Sequence, residues 1–136
     1  MANGKMEQLL NEIGQLLAED SSDRAHETLL HAELDNNLVA TSIFDDLGDH
    51  IQYRDAELPL NYALLDLWEA QEPDKRWAEL EYLLRDGKFR ANFIYPEEIE
   101  ESVDPLDRRD RIVERYFGKK PISYPPPPGD TMEFKD

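Results

Sequence analysis

Residues 77–95, WAELEYLLRDGKFRANFIY, constrain this chain more than any other stretch, because local turn chemistry and hydrophobic period agree there. Ala78, Leu80, Tyr82 and Leu84 alternate with Trp77, Glu79, Glu81 and Leu83. Beyond Asp86-Gly87, the residues Phe89, Ala91, Phe93 and Tyr95 recur at every second position. Period-two apolar spacing suits a pleated strand with one buried face. Asp-Gly supplies the positive φ that a two-residue hairpin turn requires. The segment therefore predicts a β-hairpin, and the remaining elements must supply a sheet and a cover for it.

Upstream, Met6, Leu9, Leu10, Ile13, Leu16 and Leu17 repeat at three and four residues, which predicts an amphipathic helix over residues 5–18. Gly14 weakens that helix slightly, and the acidic run 19–23 stops it. Between residues 26 and 53 the pattern becomes alternating: Leu30, Ala32 and Leu34, then Leu38, Ala40, Ser42 and Phe44, with Asp35-Asn36-Asn37 as a turn. Asp45 to Asp49 read as a second turn into a short strand near residues 50–54. After Pro59, which fits a first helical turn, Leu60, Leu64, Leu67 and Trp68 predict a second helix ending by Gln71. Asp104 followed by Pro105 reads as a cap and first position of a third helix, which Gly118 closes. From residue 121 the composition turns proline-rich, with four prolines at 125–128 that enforce extended geometry.

One domain over residues 1–120 and a tail over 121–136 follow from length and composition. The expected fold is a single α+β domain: a meander of about five antiparallel strands with helices on one face. Trp68, Leu80, Tyr82, Phe89 and Phe93 are its expected core. No apolar run approaches the roughly 20 residues of a bilayer span. A soluble, cytoplasmic protein is expected, and the absence of cysteine excludes disulfides and thiolate chemistry.

Net charge is the outstanding global property, at −16. A field of that sign repels nucleic acid and anionic membrane and attracts basic proteins. The charge is also unevenly placed. Residues 19–57 carry eleven acids against Arg24 and Arg54, while residues 105–120 carry six bases against three acids. The arginine-rich third helix is expected to present a solvated face with ion pairs along the helix, such as Asp107 to Arg111.

Chemistry-bearing patterns are sparse. His26, His31 and His50 lack metal-ligand spacing, and His26 and His31 point to opposite faces if they share a strand. No Ser or Thr stands in a nucleophile-elbow sequence. Asp45, Asp46 and Asp49 do not match the EF-hand spacing and read as an exposed acidic turn. Glu79 and Glu81 share a face, as any solvent-facing strand would present them. No cofactor and no metal site are expected.

The motifs W-x-E-L-E-Y-x-L-x-x-x-G-K-F at 77–89, F-I-Y-P at 93–96 and R-x-x-x-R-Y-F-G at 111–118 resemble the YezG-type immunity proteins. That resemblance implies an N-terminal helix, an antiparallel sheet and a late aromatic hairpin. It also implies a non-catalytic antitoxin that neutralises a secreted polymorphic toxin, often a nuclease. With the charge, it points to a basic toxin as partner, met through an acidic surface formed by Asp45, Asp46, Asp49, Glu97, Glu98, Glu100 and Glu101. Two other classes stand beside it: an adaptor or scaffold that uses the polyproline tail, and a small hydrolase acting through His50 with Asp46 or Asp49.

Overall fold

The computed structural model describes residues 2–20, 25–36, 38–99 and 103–124. Its elements in chain order are α1 (Ala2–Asp20), β1 (Glu27–Asp35), β2 (Leu38–Asp46), β3 (Ile51–Asp55), α2 (Leu58–Glu69), β4 (Glu79–Arg85), β5 (Lys88–Ile94), α3 (Pro105–Phe117) and β6 (Ile122–Ser123). Short 3-10 turns stand at Pro73–Lys75 and Pro96–Glu98. The polyproline run expected of the tail lies outside the described residues.

The α+β class agrees with the sequence reading, but the sheet is larger and its wiring different. Six strands run in the order β5-β4-β1-β2-β3-β6. β1, β2 and β3 form a meander, and the β4–β5 hairpin joins the free side of β1, all antiparallel. β6 is a two-residue strand laid parallel against β3. At the hairpin turn Asp86 has φ 53° and Gly87 φ 74°, the paired positive dihedrals of a type I′ turn whose twist matches its flanking strands.

Alternation along the strands gives the sheet two different faces. Leu30, Ala32, Leu34, Ile43, Leu80 and Tyr82 are buried on one face beneath Leu9, Ile13 and Leu17 of α1 and Leu60, Leu64, Leu67 and Trp68 of α2. The four-residue spacing of the α1 positions places them on one stripe, so a single helix face reaches the sheet. Trp68, Leu80 and Tyr82 are buried as expected, while Phe89 and Phe93 pack half-buried at the margin.

The opposite face is not left to solvent. Ile112, Val113 and Phe117 of α3 pack there on Leu29, Phe44 and Ile51. The expectation of helices on one face is therefore corrected: the sheet is the middle of three layers. α3 starts where the sequence places it, because Asp104 Oδ1 accepts a hydrogen bond from Leu106 N at 3.1 Å and Pro105 occupies a position that needs no donor.

Gly14 has a packing reason. A Cβ built there would stand 2.5 Å from the Tyr82 hydroxyl, which itself donates to the Leu10 carbonyl at 2.7 Å. Elsewhere in a helix, Gly to Ala adds about 1 kcal/mol of stability. Here the added methyl drives the Tyr82 ring out of a buried position. Gly14→Ala is expected to lower the urea midpoint, and a raised midpoint would show that the ring yields without loss.

Candidate functional site

The face under α3 is built on charge. Glu79 and Glu81 are each 2% exposed, although the strand pattern around them reads as solvent-facing. Arg108 forms a two-pronged pair with Glu79, Nη1 on Oε2 and Nη2 on Oε1, the second at 2.9 Å. His31 Nε2 lies 2.9 Å from Glu79 Oε1. Two residues further along the strand, Glu81 Oε1 accepts from Arg115 Nη2 at 2.6 Å and from the Tyr116 hydroxyl at 2.8 Å. The two carboxylates stand two residues apart on β4, so they share a face, and arginines seven apart on α3 meet them two turns apart.

Burial pushes the Glu79 carboxyl pKa up, but the hydrogen bonds from His31 and Arg108 outweigh it and hold the group below the usual carboxylate range. Burial, reinforced by the hydrogen bond to Glu81, pushes the Tyr116 phenol up to about 12. Glu79 is thus held as a carboxylate and Tyr116 as a neutral donor at physiological pH. The arginine-rich helix, expected to pair along itself, instead sends Arg108 and Arg115 across to the sheet.

Register sets Ser42 of β2 opposite His31, which brings a hydroxyl-bearing residue alongside the His31–Glu79 pair. The Ser42 hydroxyl, however, accepts from Arg109 Nη1 at 3.3 Å, and His31 is only 3% exposed. Covered by α3 in this way, the group serves to join two layers. His50, proposed above as a base, stands near the surface with its Nδ1 2.7 Å from Asp49 Oδ1.

Those of the acidic residues singled out from the sequence that are described fall into two environments. Asp45 and Asp46 are 2% and 6% exposed and belong to β2, so the reading of an exposed turn is corrected for both. Asp45 accepts from the Thr28 hydroxyl at 2.8 Å and from Arg54 Nε at 2.8 Å. Asp46 Oδ1 accepts from Lys120 Nζ at 2.8 Å and from Gly48 N at 3.0 Å. Asp49, Glu97 and Glu98 are exposed, and Glu98 Oε2 accepts from the Tyr95 amide at 2.8 Å. Glu100 and Glu101 lie outside the described residues. Register also separates the set. Asp49 sits in the β2–β3 turn, beside the start of β1, whereas Glu97 and Glu98 follow β5 at the end where β1 finishes. A nine-residue strand spans about 30 Å, so these carboxylates occupy opposite ends of the sheet.

Sequence reasoning missed a different acidic surface. The outer sides of α1 and α2 expose Glu7, Glu12, Glu19, Asp66 and Glu69 against Lys5. Tyr62 and Leu58 of α2 are 62% and 65% exposed on the same layer. The signal was present in the helical period, which assigns the polar stripe of each helix to solvent as surely as it assigns the apolar one to the core.

The architecture is thus an α+β domain whose sheet carries an apolar helical layer on one face and an ion-paired helix on the other. Among the described residues no helix is long and apolar enough to cross a membrane. No protein-family model matches the sequence, and no curated protein shows significant similarity to it.

Proposed function

We propose that this chain is a non-catalytic immunity protein that binds a basic toxin and blocks it through an acidic surface. The observation that carries this reading is how the fold uses its cations. Arg54, Arg108, Arg115 and Lys120 are drawn onto the buried acids Asp45, Glu79, Glu81 and Asp46. A chain with twice as many acids as bases thereby ties four of its fifteen bases to buried acids. The outer side of α1 and α2 is left with acids and an exposed tyrosine, the combination that steers a cationic protein and then anchors it. The toxin's character as a secreted polymorphic toxin, with nuclease activity as the leading class, rests on the resemblance of the 77–118 motifs to YezG-type proteins.

The test is association with the product of the neighbouring toxin gene, measured against ionic strength. Reversing Glu7, Glu12 and Asp66 to lysine is expected to slow association about tenfold at low salt and to flatten its salt dependence. Unfolding should move by no more than about 0.5 kcal/mol, since these side chains are exposed. Equal rates and equal salt slopes would remove this surface as the interface. A parallel reversal of Asp49, Glu97 and Glu98 distinguishes it from the two ends of the sheet.

A further inference from the structure

β5 closes one side of the sheet, and among the described residues no strand pairs with its outer edge. In an antiparallel ladder alternate residues turn their backbone groups away from the neighbouring strand, so this edge offers open amides and carbonyls. Register sorts its side chains onto two unlike faces. Lys88 and Arg90 lie opposite Arg85 and Leu83 of β4, exposed on the face where Leu83 packs against the α3 layer. Phe89, Ala91 and Phe93 point the other way and pack half-buried against the α1–α2 layer.

Charge on the first face runs against the rest of the molecule. A cavity of about 740 Å³ opens there beside α3, and its lining includes Arg85, Lys88, Arg90 and Arg115 against the acids Glu27 and Asp86. Four cations to two acids is a local reversal in a chain of net charge −16. Arg85 and Arg115 are held by Glu27 and Glu81, at 2.8 and 2.6 Å. Lys88 and Arg90 form no ion pair among the described residues. Two residues apart on one strand, they repeat at about 7 Å, the spacing at which a second strand presents its own side chains to the same face.

We propose that the β5 edge binds an extended segment of a partner protein, added as a further strand, in which carboxylates alternate with apolar residues. Directly opposite side chains on paired strands stand about 5 Å apart at Cβ, so carboxylates facing Lys88 and Arg90 pair with both. The residues between them meet Phe89 and Phe93, whose rings rest on Tyr82 and Trp77 at centroid distances of 5.1 and 5.7 Å. Strand addition takes its affinity from the main chain and its specificity from alternate side chains, and this edge supplies both. A free anion would use the cations and leave the open backbone groups and the rings unused. The edge is a different surface from the outer side of α1 and α2, so the inference does not rest on the toxin-binding reading.

A fluorescein-labelled peptide of alternating glutamate and valine, EVEVEVEV, titrated with the full-length chain at neutral pH, is expected to give a saturable rise in anisotropy. Replacing its two central valines with proline keeps every carboxylate but removes ladder donors, and should weaken binding about tenfold or more. Exchanging its glutamates for lysine should abolish binding. On the protein, Lys88→Glu with Arg90→Glu turns both cross-strand pairs repulsive and should weaken binding about tenfold at unchanged far-UV circular dichroism. Arg90→Glu alone serves if the double variant unfolds. Absence of saturable binding would overturn the proposal. Equal binding of the proline peptide, or displacement by pyrophosphate at matched ionic strength, would also overturn it, by reducing the edge to a patch for any anion. A chain that is dimeric before the peptide is added and monomeric afterwards would overturn it by giving the edge to a second copy.

Discussion

Replacing Arg108 with alanine should cost the folded state about 3–5 kcal/mol at neutral pH, because it leaves a buried carboxylate without its principal cation. Glu79 is 2% exposed and Arg108 closes both of its oxygens. His31 remains on Oε1, but it touches a single oxygen. The loss has a pH signature. The folded-state pKa of Glu79 is lowered, so its contribution is fully present above the unfolded value, about 4.3, and is lost as pH falls through the lower folded value. The gap between wild type and Arg108→Ala is therefore expected to be widest near neutrality and to narrow below about pH 4. Urea unfolding of both proteins from pH 3 to pH 8 measures it. A gap independent of pH would mean that Arg108 stabilises through packing alone.

Asp45→Lys should be nearly as damaging, at several kcal/mol, while Asp49→Lys should stay within about 0.5 kcal/mol. At position 45 the substitution removes the acceptor of the Thr28 hydroxyl and sets an ammonium against Arg54. Asp46→Lys would face Lys120 in the same manner. Asp49, four residues along the chain, has a side chain 90% exposed. Denaturant midpoints of the three single variants separate these environments. Equal midpoints for Asp45→Lys and Asp49→Lys would contradict the burial of β2's last turn-proximal residues. A charge-reversal study of toxin binding that included positions 45 and 46 would report unfolding in place of a lost interface.

What the sequence made legible is what local rules decide. The Asp-Gly turn, the α1 and α2 stripes and the Asp104-Pro105 cap each depend on neighbours within one or two turns, and each is found where the pattern puts it. What it concealed depends on partners far along the chain. Glu79 and Glu81 read as solvent-facing, and they are buried only because Arg108 and Arg115, 29 and 34 residues away, neutralise them. That same pairing lays α3 on the second face. Asp45 and Asp46 mimic a turn for a similar reason, since Arg54 and Lys120 are invisible to a local reading. β6 has only two residues, too few for any alternation, and exists because β3 offers an edge. The α1–α2 acidic surface is the exception: its polar stripe was present in the helical period and was passed over in favour of acidic runs.

The outer edge of β5 bears on how this protein behaves in a crowd of its own kind. Every second residue of this seven-residue strand turns its amide and carbonyl away from β4, an invitation to add strands from another molecule. Lys88 and Arg90 stand exposed on that strand, so two such edges laid side by side bring cation against cation. On a chain so rich in acids, this pair of positive charges opposes edge-to-edge pairing of two copies. Neutralising both residues would be expected to turn a solitary sheet into a sticky one.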